Sequence, residues 1–372
     1  MSGLSGFAEL LDSLSFTAGR NARLKLMADW LRDTPDPDRG WGLAALTGGL
    51  SLPGVKPALI RGLIEERVDP MLFRLSYDYV GDLAETVSLL WEGKPEADPP
   101  GLAEVVERLR SLSRSEAPAA LSALLDRLDA TGRYALLKLA TGNLRVGAGA
   151  RLARVAFAQA FGVSPDDVEE LWHGVEPPYA ELFAWGEGRG PRPDLAALPL
   201  FRPFMLAHPL EDPEALDVAA YAAEWKWDGI RAMAVRVNGQ VRLYSRDGND
   251  ISATFPEIAT ALQTDAVIDG ELLVRGEGAV GSFNALQQRL GRKTVSAAMQ
   301  AQYPVLLRCY DLLFDGAEDV RELPLGQRRA RLTQVVERLD PTRFDLSPDL
   351  HAETLEDLAR LRAEPPDPAI EG

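Results

Sequence analysis

The chain has 372 residues, which corresponds to about two or three ordinary domains. Hydrophobic residues make up 46% and charged residues 26%, a balance that excludes a wholly disordered chain, a collagen-like repeat and a coiled coil. The net charge is −16, from 40 basic and 56 acidic residues, which argues against a protein that coats nucleic acid non-specifically.

The cysteine and histidine content excludes two kinds of site. Cys309 is the one cysteine, so an internal disulfide and a cysteine-cluster zinc site are excluded, and three scattered histidines disfavour a His-rich metal site. No apolar run reaches the roughly 18 residues that a membrane helix needs. No Lys or Arg precedes Arg20, so a secretory signal is not supported. We therefore expect a soluble cytoplasmic protein.

The first half of the chain has the pattern of a helical region. Apolar residues recur at helical spacing through residues 1–185, as at Leu10 and Leu14. Pro- and Gly-rich segments at 35–40 and 93–101 are typical of turns between helices. We predict an all-α domain over 1–185.

A basic stretch interrupts this otherwise acidic region. Asp129 is its one acidic residue, so six basic residues give a net charge of +5. The six are Arg127, Arg133, Lys138, Arg145, Arg151 and Arg154. Composition leaves two interpretations open: a solvated helix face, or a local surface for a polyanion.

A Gly- and Pro-rich segment at 186–194 marks a change of pattern, and we predict a linker over 186–199. Beyond it, apolar residues alternate with period two, and Asn238-Gly239 separates two such runs, which predicts a hairpin with a type I′ turn. The predicted strands are 232–237, 240–245, 266–274 and 305–314, and the predicted short helices are near 255–263, 283–290 and 326–339. Residues 200–372 are therefore predicted to be an α+β domain with an antiparallel sheet.

The densest group of reactive residues is Glu224-Trp-Lys-Trp-Asp-Gly-Ile-Arg231. A lysine ammonium changes its pKa readily when it is desolvated or placed near other cations, and it then becomes a nucleophile. Gly229 would permit a tight turn and close approach of the backbone to a ligand. The alternative is an exposed strand end whose lysine, Lys226, makes a salt bridge.

Four later segments follow this group in a fixed order, and one precedes it. They are Ser245-Arg246, Asp269-Gly-Glu271, Tyr310-Asp311, Glu371-Gly372 and, before the lysine, Phe201-Arg-Pro-Phe-Met-Leu-Ala-His-Pro209. With these motifs the chain resembles the ATP-dependent DNA ligases of the lysine nucleotidyltransferase superfamily. The resemblance covers nearly the whole chain, and 1–185 is similar to the helical DNA-binding domain of the larger bacterial and eukaryotic-type ligases. Residues 200–372 would be the adenylation domain.

The resemblance implies the chemistry of DNA ligation. Lys226 would attack the α-phosphate of ATP and expel pyrophosphate, leaving AMP on the lysine. AMP would pass to the 5′-phosphate of nicked double-stranded DNA, and the 3′-hydroxyl would displace it. Mg²⁺ is the implied metal, because such displacements depend on positioning and on neutralising phosphate charge. We expect a monomer that binds no membrane and associates with the nucleoid in a bacterium.

The resemblance also implies a role for individual residues around the nucleotide. Glu224 would recognise the adenine edge, and Tyr310 would stack on adenine. The structural alternatives are an exposed strand carboxylate and a buried core tyrosine. Of the two tryptophans beside the nucleophile, we expect one in the core and one in the pocket wall.

Further residues are assigned to the sugar, the phosphates and the metal. Arg231 and Arg246 would contact ribose and phosphates, with surface ion pairing as the alternative. Glu271 would bind a ribose hydroxyl or a metal-bound water, and Glu371 would help to bind the metal. Asp269 fits a sheet residue as well as a ligand.

The DNA contacts are assigned to the basic stretch. The glycine-rich segment 139–149 resembles the helix and turn of the ligase DNA-binding domain, and Arg145, Arg151 and Arg154 would neutralise the backbone without reading sequence. Residues 283–293 resemble the helix after Asp-Gly-Glu, where Arg289, Arg292 and Lys293 would touch phosphates or face solvent. Residues 327–332 are predicted to start a helix with a basic outer face.

Two other functions compete with this interpretation. An RNA ligase or a GTP-using capping enzyme shares the nucleophile, but the long helical region argues against both. A non-catalytic nick-binding scaffold is disfavoured by the set Lys226, Arg231 and Glu271. Since Glu371-Gly372 matches only the start of the fourth ligase motif, we expect residues 1–372 to form lysyl-AMP slowly and to seal nicks poorly without a C-terminal oligonucleotide-binding domain. The sequence does not distinguish replication, repair and recombination.

Overall fold

The computed structural model forms two compact units, Met1–Pro193 and Asp194–Gly372. The residues it describes are 3–97, 99–142, 144, 146–276, 280–290, 292, 294–367 and 369–372. Each unit is described on its own below.

In its described residues the first unit contains helices and no strands, which confirms the predicted all-α region. Its helices are α1 Gly3–Phe16, α2 Arg20–Asp33, α3 Asp38–Leu46, α4 Pro57–Glu65, α5 Pro70–Val80, α6 Leu83–Leu90, α7 Leu102–Ser111, α8 Ala117–Arg127, α9 Ala130–Thr141, α10 Ala150–Phe161, α11 Pro165–Trp172 and α12 Ala180–Gly186. No helix in the described parts of either unit is long and apolar enough to cross a membrane.

Helices α5, α6 and α9 of this unit each begin at an aspartate whose side chain caps the first turn. In α1, Leu4, Phe7 and Leu11 are fully buried at helical spacing. Asp82 and Asp129 accept hydrogen bonds from free N–H groups in the first turns of α6 and α9, at 3.0 and 2.8 Å. The central helix α9 is buried over most of its length.

The second unit begins with irregular chain, because residues 194–212 contain no helix or strand. Its strands are β1 Ala223–Glu224, β2 Ile230–Val237, β3 Gln240–Ser245, β4 Ala266–Val274, β5 Val305–Asp315, β6 Glu318–Asp319, β7 Phe344–Leu346 and β8 Asp349–Leu350. Its α-helices are α13 Pro256–Ala261, α14 Phe283–Gln287, α15 Ala297–Gln302, α16 Leu325–Val336 and α17 Leu355–Ala363. The predicted α+β class is confirmed; the role of 186–199 as a linker stays a prediction.

The main sheet has the order β3-β2-β4-β5-β6, with antiparallel neighbours, and β7 pairs in parallel with β5. A separate ribbon joins β1 to β8. Asn238 and Gly239 have φ angles of 51° and 77°, the positive values of a type I′ turn, so the predicted hairpin is confirmed.

The two faces of the sheet have different chemistry. One face packs on α13, α14 and α16 through a continuous apolar core that includes Ile268 and Leu272 of β4. On the other face, a smaller cluster contains Phe201, Met233, Val235, Tyr244, Val267 and Leu313. Because side chains alternate along a strand, Asp269 and Glu271 lie on this second face, beyond the apolar cluster. The second face therefore carries the polar groups of the candidate site.

Candidate active site

Lys226 lies between β1 and β2, and the backbone of residues 369–372 runs antiparallel beside it. The Lys226 N–H donates to the Gly372 carbonyl at 2.6 Å, and the Glu371 N–H donates to the Lys226 carbonyl at 2.8 Å. The Lys226 side chain is 73% exposed, and its ammonium forms an ion pair with the Glu371 carboxylate. The amine is therefore held at one point but open to a ligand.

Gly229 allows the turn after Lys226 to lie against β4. A Cβ atom at Gly229 would be 2.5 Å from the Leu272 carbonyl oxygen and 2.7 Å from the Glu271 Cγ atom. The close approach expected at this glycine is thus made to a neighbouring strand. Any larger residue would push the turn after Lys226 away from β4.

Glu271 is a half-buried carboxyl group surrounded by other acids. Burial, together with the carboxylates of Asp269, Glu371 and Asp228, raises its pKa to about 8 against the opposing effect of Arg231. At neutral pH, Glu271 is therefore mostly protonated unless a cation binds beside it. The neighbouring carboxylates of Asp269, Glu371 and Asp228 would attract a cation to this position.

The carboxylates fit a metal that is only partly held by protein. In the described ranges, no group of three or more His, Cys, Asp or Glu side chains is arranged to hold a metal ion. Mg²⁺ commonly uses one or two carboxylates and completes its shell with water and substrate phosphates. Glu271 and Glu371, which repel one another electrostatically, are a donor pair of that kind.

Arg231 is anchored by a buried carboxylate. Its Nε and Nη2 atoms donate to Asp269 at 3.2 and 2.7 Å, and Nη2 also donates to the Met205 carbonyl at 2.8 Å. Asp269 is only 2% exposed, and burial raises its pKa while the guanidinium lowers it. Arg231 also lies 4.5 Å from the Phe204 ring centre. Asp269 is therefore the residue that orients Arg231.

Tyr310 is the extra residue of a β-bulge. Asp311 pairs with Asp269 and Cys309 pairs with Gly270, so Tyr310 has no partner in β4. Its hydroxyl hydrogen-bonds Asp269, and burial followed by the Asp269 charge raises its pKa. Bulges redirect side chains near active sites, and here the bulge aims the ring toward Arg231, 5.8 Å away.

Glu224 forms an ion pair with Arg329, which lies in the segment 327–332 that was predicted to have a basic outer face. Arg329 of α16 forms an ion pair with Glu224 at 3.0 Å and with Asp349 at 2.9 Å. Its neighbour Arg328 pairs with Asp311 at 2.8 Å. The predicted basic outer face of 327–332 is therefore wrong at these two positions, which point inward.

Arg308 is a second arginine without a local sequence signal. Its guanidinium lies 4.0 Å from the Trp227 ring centre and pairs with Asp345 at 2.7 Å. Trp225 is buried and Trp227 is partly exposed, and a place in the pocket wall for one of them stays a prediction. Arg308 thus ties the residue after Lys226 to β7.

Three other arginines have different environments. Arg246 is exposed on the turn after β3. Arg289 is fully buried and donates to Glu257 at 2.8 Å and to the Thr254 carbonyl at 2.7 Å, so both expectations for it, a phosphate contact and a solvent-facing side chain, are wrong. Arg292 is exposed, and Lys293 lies outside the described residues.

Comparisons with known proteins match both units. Residues 204–372 match the family model of the ATP dependent DNA ligase domain, and residues 4–158 match that of the DNA ligase N terminus. The chain belongs to the ATP-dependent DNA ligase family. A probable DNA ligase of Koribacter versatilis strain Ellin345 is 31% identical over 361 residues, which are 92% of this chain and 62% of that protein.

Two further relatives of this ligase family match over similar lengths. A DNA ligase of Methanothrix thermoacetophila is 27% identical over 91% of this chain and 66% of its own length. A probable DNA ligase of Anaeromyxobacter sp. strain Fw109-5 is 30% identical over 90% of this chain and 63% of its own length. The chain therefore spans about two thirds or less of the ligases that it matches.

The basic stretch of the ligase N-terminal unit is mostly paired within that unit. Arg127 pairs with Glu96, Lys138 with Asp82, and Arg154 with Glu169, at 2.8, 2.6 and 2.9 Å, while Arg133 donates to the Leu125 carbonyl at 2.8 Å. These four side chains therefore fit neither of the two interpretations of the basic stretch, a solvated helix face or a local surface for a polyanion.

The three proposed DNA contacts thus differ in availability. Arg151 is exposed at the start of α10, whereas Arg154 is only 9% exposed and lies against Trp172. Arg145 lies outside the described residues. Arg151 is therefore accessible, whereas Arg154 contributes to the packing of α10 on α11.

Proposed function

We propose that this chain performs the nucleotidyl transfer of an ATP-dependent DNA ligase. The Lys226 amine attacks the α-phosphate of ATP, a phosphorus–nitrogen bond forms, and the bond to pyrophosphate breaks. The ammonium gives up its proton before attack, and the Glu371 carboxylate is in contact with it. AMP then passes to the 5′-phosphate of a DNA nick, and the 3′-hydroxyl displaces it.

The observation that supports this proposal best is the setting of Lys226. An amine that is 73% exposed forms an ion pair with Glu371, whose charge also acts on Glu271, and Arg231 is anchored by Asp269 of β4. Phosphoryl chemistry needs a free nucleophile, a fixed cation and groups that neutralise phosphate oxygens. These residues supply all three requirements.

The nucleotide would occupy the second face of the sheet. Glu224 would accept a hydrogen bond from the adenine amine, and Tyr310 would stack on the base. Arg231 and the exposed Arg246 would bind ribose and phosphates. Glu271 and Glu371 would hold Mg²⁺, which neutralises phosphate charge when bound.

DNA binding by the first unit is the second part of the proposal. A ligase must accept any sequence, so contacts to the sugar–phosphate backbone suffice. Arg151 supplies one exposed cation for this role, and Arg145 is proposed from sequence alone.

Incubation with radiolabelled ATP or GTP, followed by denaturing electrophoresis, tests the proposal. We expect a covalent adduct with ATP, none with Lys226→Ala, and a normal yield with the exposed control Lys94→Ala. An adduct with GTP alone would indicate a capping-type enzyme. Nick binding without any adduct would indicate a scaffold.

A further inference from the structure

One arginine of α16 joins three pieces of chain around the candidate base pocket. Arg329 is 16% exposed, and its Nη1 atom lies 3.0 Å from Glu224 Oε1 on β1. The same nitrogen donates to the Tyr310 carbonyl on β5 at 3.0 Å. Its Nη2 atom donates to the Ser347 carbonyl at 2.7 Å and to Asp349 on β8 at 2.9 Å.

Through these contacts, the rigid guanidinium of Arg329 is bonded to both residues that would touch the base, Glu224 and Tyr310. The guanidinium is planar, so its donors have fixed directions and lock Glu224 relative to Tyr310. A bulge leaves the backbone groups of its extra residue without ladder partners. Arg329 supplies a partner for the Tyr310 carbonyl at that bulge.

We propose that Arg329 is a positioning residue that sets the choice of nucleotide base, by holding the Glu224 carboxylate and the Tyr310 bulge in one geometry. This inference rests on the proposed function, in which Glu224 meets the base edge. Arg329 itself contacts neither the reacting phosphate nor Lys226 in this arrangement.

The chemistry of the two purines explains the effect on base choice. The exocyclic amine of adenine donates a hydrogen bond, whereas the O6 atom of guanine accepts one. Where Glu224 meets this 6-position, an ionised carboxylate can only accept, so it favours the adenine amine, while a protonated carboxyl group can also donate to guanine O6. Base choice therefore depends on keeping Glu224 ionised and correctly aimed.

The surroundings of Glu224 oppose ionisation, except for Arg329. Burial raises the pKa of Glu224, the Asp349 and Asp311 carboxylates raise it further, and the Arg329 charge lowers it. Removal of the guanidinium would leave a partly buried carboxyl group facing two acids. Such a group protonates more readily and loses its preference for adenine.

The same helix provides a matched control. Arg331 is two residues further along α16 and forms ion pairs with Glu318 at 2.7 Å and with Asp315 at 3.7 Å. Its partners lie on β6 and at the end of β5, away from Glu224 and Tyr310. Arg331→Met therefore removes an equivalent charge and ion pair from α16 without touching the base pocket.

The experiment measures single-turnover formation of lysyl-nucleotide against ATP and GTP concentration. For Arg329→Met, we expect the half-saturating ATP concentration to rise by about tenfold or more, as for the loss of a charged hydrogen-bonding partner. The limiting rate should change less, and the ATP-to-GTP preference should fall. Arg329→Lys, which keeps the charge, should recover part of the preference, and Arg331→Met should resemble the wild type.

A double-mutant cycle separates positioning from general damage to the fold. If Arg329 acts through Glu224, Arg329→Met should add little to the loss of preference already caused by Glu224→Gln. As pH falls, Arg329→Met should also lose ATP affinity at a higher pH than the wild type does, because its Glu224 protonates more readily. Should Arg329→Met fail to fold, Arg329→Gln, which also removes the charge but keeps a polar side chain, tests the same contacts, and we expect a similar loss of preference.

Each outcome has a distinct meaning. A wild-type chain that forms no lysyl-nucleotide at all would refute the proposed function rather than this inference. An active wild type together with folded Arg329→Met that keeps its ATP half-saturation and base preference would overturn the inference. The inference would also be overturned if additive losses appeared in the cycle, or if Arg329→Gln kept full preference where Arg329→Met cannot be purified.

Discussion

Lys226 and Glu371 are paired twice, once through their backbones and once through their side chains. The Glu371 N–H donates to the Lys226 carbonyl at 2.8 Å, and the two side chains form an ion pair. This arrangement fixes the distance between the proposed nucleophile and a proposed metal ligand. It also brings a negative charge close to Glu271, whose pKa it helps to raise.

Glu371→Gln tests the metal role of this pair. The change keeps the backbone pairing and removes one of two carboxylates, so the Mg²⁺ concentration for half-maximal lysyl-AMP formation should rise about tenfold. The measurement is adduct yield against Mg²⁺ concentration, with Glu353→Gln as an exposed control. An unchanged Mg²⁺ requirement would reduce Glu371 to an ion-pair partner of the lysine.

Glu271 should make the stability of the chain depend on pH. Its folded pKa of about 8 lies above the ordinary value of 4.5, so its stabilising contribution is complete below pH 4.5 and is lost as pH rises toward 8. At pH 6 the Glu271 side chain is neutral, like glutamine, and at pH 9 it carries a negative charge close to other carboxylates. Relative to the wild type, Glu271→Gln should therefore become more stable as pH rises, by about 1–2 kcal/mol at pH 9.

Thermal unfolding from pH 6 to 9 in the presence of EDTA measures this effect. EDTA is needed because a bound cation would stabilise the charged form of Glu271. A constant difference between Glu271→Gln and the wild type across that range would show that Glu271 has an ordinary pKa. Adduct formation should be impaired in the same variant if Glu271 binds metal or ribose.

Arg231 combines a structural role with its proposed nucleotide contact. Asp269 is almost fully buried, so Arg231→Met would leave an unpaired buried carboxylate and cost about 3–5 kcal/mol of folding free energy. Arg231→Met with Asp269→Asn should be more stable than Arg231→Met alone, yet equally poor in adduct formation. Urea unfolding and adduct assays check both statements, and wild-type stability in Arg231→Met would contradict the first.

Tyr310 should respond differently to loss of its ring and of its hydroxyl. Tyr310→Ala removes the proposed stacking face and should weaken ATP binding by about 1–3 kcal/mol. Tyr310→Phe keeps the face but loses the bond to Asp269, so it should reduce stability more than ATP affinity. If half-saturating ATP is unchanged in Tyr310→Ala, the residue belongs to the core and the stacking role is wrong.

The fold was predictable where one local pattern sufficed. Period-two runs gave the strand 266–274 with the bounds observed for β4, and Asn238-Gly239 specified the turn between β2 and β3. The bulge at Tyr310 was not predictable, because the extra residue is defined only by pairing with β4. The environments of Arg308 and Arg329 depend likewise on strands that are distant in sequence.

In the first unit, the net charge of the basic stretch was misleading because the partners of its residues are also distant in sequence. Lys138 and Arg154 have acidic partners 56 and 15 residues away, outside the window over which the basic stretch was counted. A run of basic residues therefore predicts an electrostatic surface only if no distant acid folds against it. Arg151 retains its predicted exposure.

Arg151 provides the last test, which concerns DNA. Arg151→Glu should weaken binding to nicked DNA and flatten the dependence of log affinity on log salt by about one to two counterions, with adduct formation unchanged. Arg114→Glu, another exposed arginine of the first unit, controls for net charge. Arg154→Met should instead lower the melting temperature, because Glu169 loses its partner, and leave the salt slope intact. A salt slope that changes with Arg154→Met but not with Arg151→Glu would reverse these assignments and require α10 to separate from α11 on DNA.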